Sequence, residues 1–68
     1  MNSSIYNALT IFHTIVAEGS IAGAARRLQM TSPSVSQSLK LLEKHIGLPL
    51  LNRTTRKMEL TEAGHRLI

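Results

Sequence analysis

The sequence contains no cysteine, no tryptophan and no aspartate, and its aromatic residues are one tyrosine and one phenylalanine. Without cysteine, the chain can form neither a disulfide framework nor a thiolate metal site. The three histidines are scattered and give no Ser/His/acid cluster or H-E-x-x-H metal motif, so the sequence argues against an enzyme. Few aromatic rings also argue against single-stranded nucleic-acid binding, which relies on base stacking.

Length and charge limit the remaining classes. A chain of 68 residues forms at most one domain and has no room for a substrate cavity and a cofactor fold beside a core. We therefore expect no cofactor and no metal in this fragment. Eight Lys and Arg against four acidic residues give a net charge of +4, which favours a polyanionic partner. The first 19 residues lack a basic segment and are too short to span a membrane, so a cytoplasmic protein is expected.

The stretch from residue 20 to residue 39 has the pattern of two short helices joined by a tight turn. The apolar residues of the first helix recur at helical spacing: Ile21, Ala24, Ala25 and Leu28. Those of the second continue the pattern: Val35, Leu39, Leu42 and Ile46. Ser20 and Thr31 are good N-caps, and Pro33 is tolerated in a first helical turn. This pattern predicts a helix-turn-helix at about 21–40, whose second helix enters the DNA major groove.

A preceding helix is predicted from about residue 4 to Glu18, ended by Gly19. Its core stripe is expected to be Ile5, Leu9, Phe12 and Val16. A second apolar set, Ala8, Ile11 and Ile15, lies well round from that stripe. We expect this second set to meet a partner, with scattered surface apolar residues as the alternative. His13 borders the core stripe and is expected to be packed rather than catalytic.

The outer face of the third helix, from about Pro33 to His45, is polar. Opposite the apolar stripe lie Pro33, Gln37, Lys40, Leu41 and Lys44, with Ser34, Ser36 and Ser38 on the flanks. Serine and glutamine can hydrogen-bond base edges or phosphates, and lysine neutralises phosphates. An ordinary exposed face is the alternative, but exposed helix positions usually favour Glu, Lys, Ala or Arg over serine. Arg26 and Arg27 either reach phosphates or are solvated.

Gly47 is predicted to end the third helix, and a short hairpin with a basic tip follows at about 52–60. Met58 and Leu60 alternate with Glu59, and Arg53, Arg56 and Lys57 supply the basic tip. Thr61 is expected to cap a fourth helix that spans 62–68. Seven residues cannot hold a helix alone, so the chain resembles the front of a longer protein.

Many landmarks along the chain match one family in register. They are Phe12, Glu18-Gly19-Ser20, Ala24-Ala25, Leu28, Pro33, Ser36, Leu42-Glu43, Gly47, Leu50, Arg53-Thr54 and Leu60-Thr61-Glu62-Ala63-Gly64. With them the chain strongly resembles the N-terminal DNA-binding domain of LysR-type transcriptional regulators. The resemblance implies a mainly α fold: a winged helix-turn-helix over 4–61, with a three-helix core, a β-hairpin wing and the start of a linker helix. It also implies a homodimer joined through the fourth helix, with a tetramer as an option for the full-length protein. A small-molecule effector would bind only a C-terminal domain missing here.

The resemblance carries the DNA contacts of the family onto specific positions. In the recognition helix these are Ser32, Pro33, Ser34, Ser36 and Gln37, and at and near the wing they are Arg53 and Arg56. Thr31 is expected to act both as a cap and as a phosphate contact, and Lys40 joins the set from its place on the outer face. Gln37 stands where the family most often has arginine, and Ser32 where glutamine is frequent. Arg56 is the candidate for the minor groove, where narrow A·T-rich segments attract arginine.

Two readings therefore remain after the enzyme is set aside. The favoured one is sequence-specific binding of double-stranded DNA by a bacterial transcription regulator. The other is a winged helix used only for protein contacts, which would predict an acidic or apolar face on the third helix. The serines, glutamine and lysines of that face, together with the basic wing, favour DNA.

Overall fold

The computed structural model describes residues 3–52 and 59–67. Four helices and one small hairpin follow each other in the order α1 (Ser3–Glu18), α2 (Ile21–Leu28), α3 (Ser32–Ile46), β1 (Leu51–Asn52), β2 (Glu59–Leu60) and α4 (Glu62–Leu67). The mainly α fold predicted from the sequence, with a short hairpin and a further helix after the helix-turn-helix, is confirmed. The third helix begins and ends one residue beyond the predicted bounds.

The core forms where α1, α2 and α3 pack against one another in pairs. Its largest fully buried side chains are Phe12, Ile15, Val35, Leu39, Leu42 and Leu50. The stripe predicted for α3 accounts for three of these, and Leu50 closes the core from the chain that leads into β1. Small Ala24 and Ala25 are buried on α2, consistent with the close approach of α2 to its neighbours.

The predicted division of α1 into a core stripe and a partner-facing stripe is wrong. Ala8, Ile11 and Ile15 are 1%, 7% and 0% exposed and belong to the core. Of the stripe predicted to be core, only Phe12 is fully buried, whereas Ile5, Leu9 and Val16 are partly buried at its edge. The cause is that both α2 and α3 cover α1, so the buried arc is broad. Helical periodicity shows that such an arc exists, but two neighbours on one helix decide where its centre lies.

The ends of the helices follow the predicted capping residues. Gly19 and Gly47 have φ values of 79° and 85°, the left-handed conformation that glycine tolerates best. Ser20 Oγ accepts a hydrogen bond from the amide of Gly23 at 2.9 Å, and Thr31 Oγ1 accepts one from the amide of Ser34 at 3.2 Å. These bonds satisfy amides that a helix N-terminus leaves without an internal partner.

The end of α2 was not anticipated from the sequence. Gln29 adopts the left-handed conformation, with φ 57° and ψ 44°, without being a glycine. Its amide donates to the carbonyl of Arg26 at 3.3 Å, and the amide of Met30 donates to that of Ala25 at 2.8 Å. These two bonds form a Schellman motif, which turns the chain sharply from α2 towards α3.

The predicted wing begins and ends as an antiparallel pair. Leu51 pairs with Leu60, and Asn52 pairs with Glu59. The residues of the predicted tip, Arg53, Arg56 and Lys57, lie outside the described part of the chain, as does Met58. The stem of the hairpin is thus established by four residues, of which Leu51 is buried and Asn52 exposed.

Within the described helices, none by itself is long and apolar enough to cross a membrane. The segments Ile5–Glu18 and Ile21–Leu28 pass that test of length and composition only as a pair, bent by 119° at their junction. Both segments contribute buried residues to the core that they share with α3.

Candidate nucleic-acid interface

The orientation of α3 follows from its buried residues. Because Val35, Leu39 and Leu42 face the core, the opposite side of the helix must face solvent. Pro33, Gln37, Lys40, Leu41 and Lys44 are all exposed there, as the sequence predicted. The outward face of the helix therefore carries the side-chain amide of Gln37 and the ammonium groups of Lys40 and Lys44, all exposed to a binding partner.

The first turn of α3 carries a connected pair of hydroxyls. Thr31 Oγ1, which accepts from the Ser34 amide, donates its own proton to Ser34 Oγ at 2.8 Å. Both side chains are exposed. Since the proton of Thr31 is used, Ser34 is the residue of this pair that can donate outward.

The other predicted contacts of α3 fall into two groups. Ser32 and Pro33 are exposed at the start of the helix, next to Thr31 and Ser34. Ser36 is half-buried on the flank of the helix and offers a smaller part of its surface. The structure thus places the predicted residues from Thr31 to Lys40 along the N-terminal cap and the first nine residues of α3. Their contacts with DNA stay a prediction. Arg53 and Arg56 lie outside the described residues.

Next to α3, an ion pair joins α2 to the end of α1. Arg27 Nη1 donates to Glu18 Oε2 at 2.9 Å, an ion pair that links α2 to α1. Its side chains are 67% and 30% exposed, so the pair contributes only about 0–1 kcal/mol. Both Arg26 and Arg27, for which the sequence leaves phosphate contact or solvation open, are exposed, and Arg27 pairs with Glu18.

The glycine inside α2 is explained by the same junction. A Cβ atom at Gly23 would lie 2.9 Å from Ser20 Oγ and 3.1 Å from Glu18 Cβ. The first is closer than real Cβ contacts allow, and Ser20 is the residue that caps the helix. Glycine therefore lets the capped start of α2 approach the end of α1.

Chemistry other than binding finds little support in the part of the chain that the structure describes. No three His, Cys, Asp or Glu side chains there are grouped to hold a metal ion. His13, His45 and His65 are exposed on three different helices. The expectation that His13 is packed is therefore wrong, although its ring contacts Phe12 edge-on with centroids 5.9 Å apart. The ring of His13 borders an open concavity of about 550 Å³ whose lining has no carboxylate.

One residue that anchors the chain after α3 is not predicted by the sequence analysis. Glu43, half-buried on α3, accepts a hydrogen bond on Oε2 from the amide of Leu50 at 2.8 Å. No local pattern announces this bond, because its two partners are joined by a turn whose path the sequence does not fix. The cap predicted at Thr61 is confirmed by a bond of 3.1 Å from the Gly64 amide to Thr61 Oγ1.

Comparison with known proteins agrees with this architecture. A family model described as "Bacterial regulatory helix-turn-helix protein, lysR family" matches residues 6–65. The chain is 48% identical over 56 residues to the HTH-type transcriptional regulator CrgA of Neisseria meningitidis serogroup C (strain 8013), covering 82% of this chain and 19% of that protein. It is 46% identical over 56 residues to the HTH-type transcriptional activator AaeR of Escherichia coli (strain K12), covering 82% of this chain and 18% of that protein.

Solved structures give the same result. A BenM_DBD/catB site 1 DNA complex matches with a TM-score of 0.85 and 33% identity, covering 90% of this chain and 68% of that chain. The chain spans about a fifth of the length of the curated relatives it matches. The prediction of a DNA-binding regulator domain rather than an enzyme is confirmed by these matches. The chain belongs to the lysR family of bacterial regulatory helix-turn-helix proteins.

Proposed function

We propose that this domain binds double-stranded DNA with α3 in the major groove and the hairpin wing on the minor groove and backbone. The observation that carries this proposal is the outward face of α3. The polar face of the helix is exposed while its apolar side is packed in the core, so the exposed face is held in a fixed orientation. A helix of this diameter fits the major groove, where base edges differ enough to be distinguished.

Different residues serve base recognition and phosphate binding. Gln37 lies mid-face, and its amide can pair with adenine through two hydrogen bonds. Ser32, Ser34 and Thr31 surround the N-terminus of α3, where amide dipoles favour a phosphate. Lys40 lies on the same face and acts by charge, which fixes register on the duplex but carries little sequence information.

The wing completes the proposed interface. Arg53 follows directly on Asn52 of β1, and Arg53, Arg56 and Lys57 lie within five consecutive positions. Three positive charges in so short a segment suit the negative potential of a narrow minor groove or the flanking phosphates. We assign Arg56 to the minor groove and Arg53 to the backbone.

A matched pair of variants on α3 tests these roles. A duplex is first selected by the wild-type chain from a randomised pool, and fluorescence anisotropy then compares it with a random duplex. Gln37→Ala should cost about 1–3 kcal/mol on the selected duplex and little on the random one. Lys40→Ala should weaken both duplexes alike. Arg56→Ala should have its largest effect on A·T-rich flanks. Equal losses on both duplexes for Gln37→Ala would contradict the assignment.

Assembly and location complete the proposal. The protein acts as a homodimer in the cytoplasm, with a tetramer as the option for a longer chain. An apolar groove of about 460 Å³ supports a partner at the fourth helix, as the family resemblance implies. Its apolar lining is Ile46, Leu48, Ala63 and Leu67. Because the chain spans about a fifth of its relatives, a small-molecule effector would be bound by a separate C-terminal domain.

A further inference from the structure

The ends of three elements meet at one residue, Leu50. Its side chain is fully buried in the core, and its backbone is held on both sides. The amide donates to Glu43 Oε2 of α3 at 2.8 Å, and the carbonyl accepts from the amide of Thr61 at 3.0 Å. Leu51, the next residue, begins β1, and Thr61 caps α4. The recognition helix, strand β1 of the hairpin and α4 are thus joined through one backbone unit.

Glu43 holds both ends of the turn that leads to this unit. Its backbone carbonyl accepts from the amide of Gly47 at 2.7 Å, which ends α3. Its carboxylate accepts from the amide of Leu50, three residues later. One residue of α3 therefore determines both where the chain leaves the helix and where it begins β1.

The far side of the junction is equally constrained. Thr61 Oγ1 donates to the carbonyl of Pro49 at 2.6 Å and accepts from the amide of Gly64 at 3.1 Å. Gly64 is buried, and a Cβ atom there would overlap the carbonyl oxygen of Leu50. Such close contact leaves the start of α4 little room to move independently of Leu50.

From this geometry we infer that Glu43 is a positioning residue for DNA binding: its carboxylate fixes the wing and α4 relative to the recognition helix through the Leu50 amide. The inference rests on the proposed function, in which both the helix and the wing contact one duplex. Simultaneous contact requires a fixed spacing between them, and a freely moving wing must be ordered on binding at the expense of affinity.

The sign of the expected effect separates positioning from simple electrostatics. Removing a carboxylate from a DNA-binding domain raises its positive charge, which by itself strengthens binding to DNA. If Glu43 positions the wing, Glu43→Ala should instead weaken binding, on the order of tenfold, as for coupling between separate parts of a protein. Glu62→Ala is the matched control, because it makes the same change in charge at an exposed pair with Arg66 on α4.

The experiment uses the wild-type-selected duplex, at a temperature where circular dichroism shows each variant folded. Glu43→Gln should bind within about twofold of wild type, because its amide oxygen can accept the same hydrogen bond. A synthetic chain with an ester in place of the Pro49–Leu50 amide lacks the donor and should lose affinity as Glu43→Ala does. Combining both changes should cost clearly less than the sum of the two separate losses, because both remove the bond between the Glu43 carboxylate and the Leu50 amide.

Several results would overturn the inference. Glu43→Ala binding as tightly as wild type or Glu62→Ala would do so. Glu43→Gln binding as weakly as Glu43→Ala would also do so, because the glutamine oxygen can keep the bond to the Leu50 amide and that bond would then not account for the loss. If Glu43→Ala does not fold, the ester variant decides the question, and full affinity in that variant rejects the inference. No binding by the wild-type chain would overturn the proposed function together with the inference. Unchanged binding by Glu43→Ala beside a weakened Gln37→Ala would overturn the inference alone.

Discussion

Gln29 holds the left-handed conformation that ends α2 and opens the turn of the helix-turn-helix. Its side chain is exposed, and its φ of 57° is the only positive value at a non-glycine residue in the described part of the chain. Residues with a Cβ atom disfavour this conformation by about 1–2 kcal/mol. The two backbone bonds of the Schellman motif and the half-buried Met30 that follows hold it in place.

We therefore expect Gln29→Gly to stabilise the domain, by up to about 1 kcal/mol after the greater freedom of glycine in the unfolded chain is counted. Gly47→Ala is the reciprocal control. Gly47 has a φ of 85°, and a Cβ atom added there would contact nothing. The stability lost in Gly47→Ala therefore reflects the backbone conformation and not a clash. Urea unfolding followed by circular dichroism should show opposite shifts of the midpoint. A lower midpoint for Gln29→Gly would mean that the glutamine side chain stabilises the turn.

At the scale of the element, α1 is buried more broadly than one amphipathic stripe. Ile11 and Ile15 lie in the core, and Tyr6 on the same helix is 58% exposed. The helix is thus a central support for α2 and α3 rather than a docking face. A substitution in the buried arc should therefore act on folding and not on assembly.

Ile11→Asp places an unpaired carboxylate where the side chain is 7% exposed. Burying such a charge costs several kcal/mol, which approaches the total stability of a small domain. We expect the variant to be largely unfolded at 25 °C, with Tyr6→Asp as a folded control for the added charge. Helical circular dichroism and urea titration check this. A folded Ile11→Asp with a changed association state would restore the partner-facing interpretation of α1.

At the scale of the whole molecule, we expect positive charge to dominate the affinity for DNA. The chain carries a net charge of +4, and the exposed Lys40 and Lys44 lie on the outward face of α3. Each phosphate contact contributes about −0.9 to the slope of log K against log salt. We expect a negative slope of several units for the wild-type chain. Its magnitude should be smaller by nearly one per chain in Lys40→Ala. Anisotropy titrations at increasing salt measure it, and affinity independent of salt would contradict the proposed interface.

Assembly is the second property of the whole molecule. Leu48 is 55% exposed beside the groove at α4 and is the largest exposed contribution to its apolar lining. We expect this chain to be a monomer or weak dimer, because α4 offers only the six residues Glu62–Leu67 to a partner. A chain extended by about 20 residues offers about 30 Å more helix and should dimerise firmly.

Leu48→Glu should weaken the dimer of the extended chain without unfolding it. Sedimentation equilibrium, with circular dichroism as the folding control, measures both effects. Leu41→Glu is a matched control, because Leu41 is 45% exposed on the outward face of α3, which we propose contacts DNA and not the partner subunit. A dimer that survives Leu48→Glu unchanged would place the interface elsewhere.

The sequence by itself determined the elements that depend on local chemistry. Ser20, Thr31 and Thr61 were identified as caps because a hydroxyl before a helix satisfies amides within three residues. The glycines after α1 and α3 are predicted from the sequence as the ends of those helices, and both have the left-handed conformation in the structure. The stripe of α3, buried on one side only, was located by periodicity, and with it the exposed face that carries Gln37 and Lys40.

Only the tertiary structure decided what depends on neighbours distant in sequence. Whether Ile11 and Ile15 or Leu9 and Val16 lie in the core depends on how α2 and α3 both pack against α1. The bond from Leu50 to Glu43 depended on the path of the turn between them. The physical reason is the same in both cases: capping and periodicity act within one or two helical turns, whereas burial and long-range hydrogen bonds are set by which surfaces meet when the chain folds.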